Sequence, residues 1–309
     1  MRLAVILTGG TIGSKIQEDG WISPKGETPY EIIGQFKKQY PVKAAQIQFD
    51  CFMPYKILSE NLNGKYLELL IEQVRACVAE GSYEGILICH GTDTLQYTAA
   101  ILDYVFSDCS MPIVLVSSNY PLEDSRANGL MNFYYAIETL SKKVTGTVVV
   151  YRNADGRTYV HRGTRLLAHQ TFEDNLYSIR QSYIGVYDEK GNWTYAGDEE
   201  RTGPVPYNGL KRPDAICWIR AYPGLIYPEL RPETKAVILE SYHSGTIGID
   251  ESLKAFTTKA KVLQIPVYLV GAVSDREGYE TMKNYKEMGI QVIANEAPIA
   301  VYCRLWLTL

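Results

Sequence analysis

Short apolar runs alternate with segments of helical period along most of this chain, and that alternation confines it to an α/β fold built on a largely parallel sheet. Leu3 to Thr8 reads as a strand closed by Gly9-Gly10, and Gln46 to Met53 as a second strand. From Asn61 to Glu80, Leu62, Tyr66, Leu69, Leu70, Val74 and Val78 recur at the spacing of one helix face. Gly85 to Cys89 is unbroken apolar sequence, as expected of a strand covered on both faces. Leu95 to Phe106 is read as a helix, Pro112 to Ser117 as a strand, Glu123 to Leu140 as a helix and Val144 to Tyr151 as a strand. Such a series is expected to wind with right-handed crossovers.

The alternation breaks near Tyr183. Between Gly185 and Pro213 the chain carries Gly191, Gly197, Gly203, Pro204, Pro206 and Gly209, with the acidic run Asp198-Glu199-Glu200 among them. This composition predicts a larger first domain over residues 1–184, a linker over 185–213 and a smaller α/β domain over 214–309. In the last of these, Ala215 to Trp218, Ala236 to Leu239 and Val267 to Val270 read as strands, and Glu251 to Ala260 and Glu280 to Met288 as helices.

Composition removes several classes of function. The chain has 309 residues, 46% hydrophobic, with a formal net charge of −4. No Lys or Arg run exceeds two residues, so a surface built to neutralise nucleic-acid phosphates is not expected. The apolar runs are strand-sized, far below the roughly 20 residues needed to cross a bilayer. Met1 to Leu7 is too short to serve as a secretory signal, so the reading is a cytoplasmic protein. The six cysteines are scattered, without a CxxC pair, and the four histidines form no ligand-spaced cluster. Free thiols and no metal are expected. Tyrosine outnumbers phenylalanine 24 to 7, which predicts many half-buried aromatic positions.

Open parallel sheets bind ligands beyond the carboxyl ends of their strands. Two strand ends carry unusual residues. Thr8-Gly9-Gly10-Thr11-Ile12-Gly13-Ser14 follows the first strand, with glycines that permit a tight turn and hydroxyls displayed beside them. It fits neither a GxGxxG dinucleotide loop nor a Walker loop. His90-Gly91-Thr92-Asp93-Thr94 follows the strand ending at Cys89. Thr92 or Asp93 is positioned there to cap the next helix. The same residues also make an anionic seat for an amine beside a hydroxyl nucleophile.

With these two blocks in order, the chain resembles the bacterial-type L-asparaginase/glutaminase family, whose signature blocks are TGGTIG and HGTDT. The likeness runs on through Pro121-Leu122-Glu123-Asp124-Ser125-Arg126, Arg162-Gly163 and Glu240-Ser241-Tyr242-His243-Ser244-Gly245-Thr246. It implies hydrolysis of the side-chain amide of asparagine, and of glutamine more weakly, to a carboxylate and ammonia. It implies Thr11 as the nucleophile and Thr92 as the second catalytic threonine. Asp93 would hold the substrate's α-amino group, Ser59 its α-carboxylate, and Glu60 the next contact. No cofactor is called for, the partner is a small amino acid, and a homodimer or homotetramer is expected, with His243 to Thr246 as a segment offered to a neighbouring site.

Two positions depart from the pattern. Trp21 stands where the family has a loop tyrosine, and no lysine follows Arg162-Gly163, where Arg165 and His169 are the nearest basic groups. An indole cannot relay a proton as a phenol does, and an arginine stays protonated. The alternative reading is therefore an impaired or re-purposed relative that binds a small amino acid or another amide. A third relative, the amidotransferase acting on misacylated tRNA, is set aside because the first block begins at Thr8 and the chain is mildly acidic.

Overall fold

The computed structural model describes residues 1–16, 22–23, 31–142, 144–197, 203–274 and 278–309. Trp21 and the run Asp198-Glu199-Glu200 lie outside them. The chain divides into two compact units, Met1–Pro204 and Val205–Leu309.

In the first unit the elements are β1 (Arg2–Leu7), β2 (Lys15–Ile16), β3 (Ile22–Ser23), α1 (Glu31–Gln39), α2 (Pro41–Ala44), β4 (Gln48–Phe52) and α3 (Gly64–Glu80). They continue with β5 (Gly85–Cys89), α4 (Leu95–Val105), β6 (Ile113–Val116), α5 (Gly129–Leu140), β7 (Thr147–Arg152), β8 (Thr158–Arg162), β9 (Gly185–Tyr187) and β10 (Trp193–Tyr195). Eight strands form one sheet in the order β10-β9-β8-β7-β6-β5-β1-β4. The five from β4 to β7 pair in parallel, and β8, β9 and β10 add on antiparallel.

The central parallel strands β5 and β6 are apolar throughout and every residue of them is buried, whereas the edge strand β4 carries Gln48 and Asp50 and is only partly buried. Helix α3 starts at Gly64 because the Asn63 side chain accepts the N–H groups of Lys65 and Tyr66, and it stops at Gly81, which takes the left-handed φ of 75°. Helix α5 begins six residues later than its periodicity suggests. Asn119 and Asn128 exchange side-chain-to-backbone hydrogen bonds, each 3.0 Å, and hold the intervening segment as a turn.

The linker expected from residue 185 is shortened by the structure. Gly185–Tyr187 and Trp193–Tyr195 are the outer strands of the first sheet, joined by a turn at Gly191 with φ 83°. Glycine there closes a hairpin, which composition alone does not distinguish from a linker.

The second unit holds β11 (Ile216–Arg220), β12 (Ala236–Glu240), α6 (Glu251–Val262), β13 (Val267–Ala272), α7 (Thr281–Glu287), β14 (Ile290–Ala294) and α8 (Pro298–Thr308). Its four strands are parallel in the order β11-β12-β13-β14. Val237, Leu239, Leu253, Leu269 and Tyr285 are central to its core. All six cysteines are free thiols. Among the described residues no helix is long and apolar enough to cross a membrane.

Candidate active site

The strand order β4-β1-β5-β6-β7 runs outward from β1 in both directions, so the crevice between the carboxyl ends of β1 and β5 is a topological switch point. Both glycine-bearing turns leave the sheet there. Gly9 and Gly10 have φ of 102° and 72°, conformations that side chains disfavour. The Gly10 N–H donates to the Ile57 carbonyl at 2.8 Å, and the Ile57 N–H to the Thr8 carbonyl at 3.1 Å. A Cβ on Gly10 would overlap the backbone of Gly91, and one on Gly91 would lie 2.5 Å from the Ser59 Cβ and Oγ. Three chain segments therefore meet here: the turns after β1 and β5 touch main chain to main chain, and the single 3₁₀ turn Ser59–Asn61 meets the second of them through the Ser59 side chain. No side chain fits between the two glycine turns.

On this floor the hydroxyls divide into two sets. Thr8 Oγ1 donates to the Cys89 carbonyl at 3.0 Å, Ser14 Oγ to the Gly10 carbonyl at 2.7 Å, and Thr94 Oγ1 to the Ser59 carbonyl at 2.9 Å. These three tie the segments together. The hydroxyls of Thr11 and Thr92 engage no partner among the described residues, and both side chains are half-buried. Thr11 opens the 3₁₀ turn that follows Gly10.

Asp93 is exposed, and its Oδ2 accepts the Ser59 hydroxyl at 2.7 Å while its N–H donates back to Ser59 Oγ at 3.2 Å. Oδ1 has no partner among the described residues. Ser59 is buried, and Glu60 is exposed beside it in the same turn. The sequence suggests Thr92 or Asp93 as the cap of α4. The structure places Thr94 at that position without a side-chain cap bond, because its hydroxyl is directed to Ser59. Asp93 is held by Ser59 instead.

His90 is a clamp. Its Nδ1 lies 2.8 Å from the Gly91 carbonyl, which only a protonated nitrogen satisfies, so Nε2 accepts the Thr98 hydroxyl at 2.9 Å. Burial holds this imidazole down to about 4, and it is neutral at neutral pH. The segment after β8 is also largely committed. Arg162 pairs with Asp103 at 3.7 Å, Arg165 Nε donates to Ser182 Oγ at 2.9 Å, and His169 packs edge-on against Tyr151. The His169 Nδ1 is buried without a hydrogen-bond partner among the described residues. Lys15 pairs with Glu31 at 3.2 Å and Glu123 at 3.4 Å, joining the first block to the segment Pro121 to Arg126. Among the described residues no group of three or more His, Cys, Asp or Glu side chains is placed to hold a metal ion.

The sequence places the two blocks near each other but does not show the Gly10–Gly91 contact or the Ser59–Asp93 bond, since both cross between distant segments. In the second unit, His243 to Thr246 is a turn that exposes His243 and Ser244 and buries Gly245. There Ser244 and Thr246 bond each other at 2.8 Å, and the Gly245 N–H donates to the Tyr242 carbonyl at 2.9 Å.

Residues 2–199 match the N-terminal domain of asparaginase, and the chain belongs to the asparaginase family of amidohydrolases. Over 99% of its length it superposes on 92% of L-asparaginase I from Vibrio cholerae, with a TM-score of 0.79 at 21% identity. Over 99% it likewise matches 92% of the thermostable L-asparaginase from Thermococcus kodakarensis, with a TM-score of 0.74 at 23% identity. At these identities the likeness establishes the fold. Among curated sequences, a glutamyl-tRNA(Gln) amidotransferase subunit from Metallosphaera sedula is 29% identical over 80% of this chain and 55% of its own length. The same subunit from Sulfolobus acidocaldarius is 35% identical over 58% of this chain and 40% of its own. The chain thus spans about half the length of these relatives.

Proposed function

We propose that this protein hydrolyses the side-chain amide of asparagine, with glutamine as the weaker substrate, through an acyl-enzyme on Thr11. The observation that supports this most strongly is the division of hydroxyls at the switch point. Three hold the fold together, and two, on Thr11 and Thr92, are left open. In this reading Asp93 Oδ1 seats the substrate ammonium, while Ser59 fixes the carboxylate through Oδ2. Glu60, exposed in the same turn, makes the next substrate contact. Were Ser59 to bind the substrate carboxylate, its proton would have to turn away from Asp93.

The Thr11 oxygen attacks the amide carbon, and the C=O bond opens to a tetrahedral oxyanion. The backbone N–H groups of Thr11 and Ile12, next to the bonded Gly10 N–H, stabilise that charge, each such donor being worth about 3–4 kcal/mol. The proton lost by Thr11 passes by way of the Thr92 hydroxyl to the leaving nitrogen, and ammonia departs. Water then cleaves the ester and restores the threonine. A threonine hydroxyl is a weak nucleophile at neutral pH, so this relay decides the rate. His90, buried and neutral with both nitrogens engaged, takes no part in it.

Purified protein titrated with asparagine, glutamine and aspartate tests the reading, with ammonia release and tryptophan fluorescence followed together. Ammonia at enzymatic rates that disappears in Thr11→Ala supports it. Saturable binding without ammonia would replace it by the amino-acid-binding alternative. Light scattering tests the expected homodimer or homotetramer.

The curated relatives favour a second reading, in which the chain serves in the amidotransferase role that their names describe, releasing ammonia for glutamyl-tRNA(Gln). Retention of tRNA at low salt, lost as salt is raised, supports that role. No retention removes it.

A further inference from the structure

A second polar cleft lies on the first unit, on the face of β8 that carries Tyr159 and His161. It encloses about 710 Å³ including its open mouth, between β8, the turn after β7 and the segment from Asn175 to Tyr183. That segment is pinned rather than loosely laid. Asn153 donates to the Leu176 carbonyl at 3.0 Å and accepts the Leu176 N–H at 2.9 Å, and Asn175 Oδ1 accepts the Ala154 N–H at 2.7 Å. Arg180 and Gln181 are both held at left-handed φ, 52° and 54°.

His161, which lines the cleft, is 1% exposed. Its Nδ1 is bonded to Ser178 Oγ at 2.9 Å, and its Nε2 is buried with no partner among the described residues. An unpaired buried polar atom costs about 1–3 kcal/mol, and a ligand atom reaching it would recover that.

The chemistry of the lining selects the ligand. Asp155 is its one carboxylate among the described residues, and both oxygens are occupied, by the Arg157 N–H at 3.0 Å and the Tyr159 hydroxyl at 2.6 Å. An amino acid's ammonium would share this carboxylate with two donors already bound to it. Arg157 is exposed, its side chain bonds the Tyr159 hydroxyl and it makes no ion pair with a carboxylate among the described residues, so its remaining N–H groups are available to an anion. The rings of Tyr159 and Tyr183, 5.0 Å apart at 71°, form two walls at an angle suited to a flat ring.

We propose that this cleft binds a nucleotide-class ligand, a flat nitrogen heterocycle bearing a phosphate. The ring lies against Tyr159 and Tyr183, its edge meets His161 Nε2 and the Gln181 amide, and the phosphate meets Arg157. The proposal does not depend on the amide chemistry at Thr11, and either can fail without the other.

Calorimetric titration of the full chain with AMP tests it, with adenosine, inorganic phosphate and aspartate as separate arms. The expected result is one-to-one AMP binding that weakens tenfold or more in Arg157→Gln and in Gln181→Ala. Both side chains are exposed, so thermal melting should not change. Thr11→Ala should bind AMP as the parent does. In nitrogen-detected spectra of the histidine side chains, the His161 resonances should move on AMP addition while those of His90 stay. Absence of AMP binding at millimolar concentration overturns the proposal. So does adenosine binding as tightly as AMP, phosphate alone matching AMP, or aspartate displacing it.

Discussion

Two clusters built from aspartate and threonine lie in the first unit, and they differ in how much hydrogen-bonding capacity the fold leaves open. Around Asp103 both carboxylate oxygens are engaged. Oδ1 accepts the Thr147 N–H at 3.3 Å and faces Arg162 at 3.7 Å, and Oδ2 accepts the N–H and hydroxyl of Thr164 at 3.1 and 2.9 Å. Arg162 is 2% exposed and donates onward to the Thr145 carbonyl at 2.7 Å. Burial pushes the Asp103 carboxyl up, against the pull of Arg162 and its hydrogen-bond donors. Around Asp93, by contrast, one oxygen holds Ser59, the other has no partner among the described residues, and two threonine hydroxyls stand uncommitted. The closed cluster anchors α4 to the segment after β8. The open one has hydrogen-bonding valences to spare.

Four measurements can break or sharpen this contrast. The largest effect is expected at the open cluster: Thr11→Ala should lower ammonia release by about 10⁴-fold, roughly 5.5 kcal/mol of transition-state stabilisation, with unchanged thermal melting. A melting temperature that falls with the activity would mean that Thr11 holds structure. Next comes the closed cluster. Asp103→Ala leaves a buried guanidinium without its partner and should destabilise folding by about 3–5 kcal/mol, read by urea unfolding, while turnover per folded molecule persists. Loss of turnover with intact stability would erase the distinction between the clusters.

Acid should act through the buried histidines. Burial holds His90 at about 4 and His161 at about 3, below the ordinary value near 6.5, so between those limits the unfolded chain binds protons that the folded chain refuses. Stability is therefore full above the unfolded value and is lost as pH falls. Between about pH 7 and pH 5 the loss is about 2 kcal/mol per histidine. Denaturant midpoints across that range check it, and a flat profile would show that these rings are not held neutral. The smallest effect is expected for Ser59→Ala, which frees Asp93. KM should rise about tenfold, equivalent to about 1.4 kcal/mol, with kcat little altered. A fall in kcat alone would move Ser59 from positioning to chemistry.

Much of the fold is legible in the sequence because parallel strands buried on both faces must be continuously apolar. Gly85–Cys89 is found with the limits its composition indicates, and β12 and β13 begin at the expected Ala236 and Val267. The antiparallel edge is less legible. Thr158–Arg162 is buried at every residue but Tyr159 with polar Thr158, His161 and Arg162 among them, and its turn at Gly156, like that at Gly191, reads as loop punctuation rather than as a hairpin. Helix α8 and strand β14 fall in a stretch where no periodicity stands out. At the site, TGGTIG and HGTDT mark the two turns that the structure brings into contact at Gly10 and Gly91. They do not reveal that Ser59 belongs to Asp93, since 34 residues separate the two and only the folded chain brings them together.

The α-carbon contact between Gly10 and Gly91 has a consequence for how such a protein can change. The spacing between the Thr11 and Asp93 turns is fixed by main-chain thickness, with no rotamer to adjust and no side chain to trim. Selection for a bulkier or slimmer amide has little purchase on that seam. It must instead work on other side chains that line the crevice, leaving the two turns as an inherited ruler.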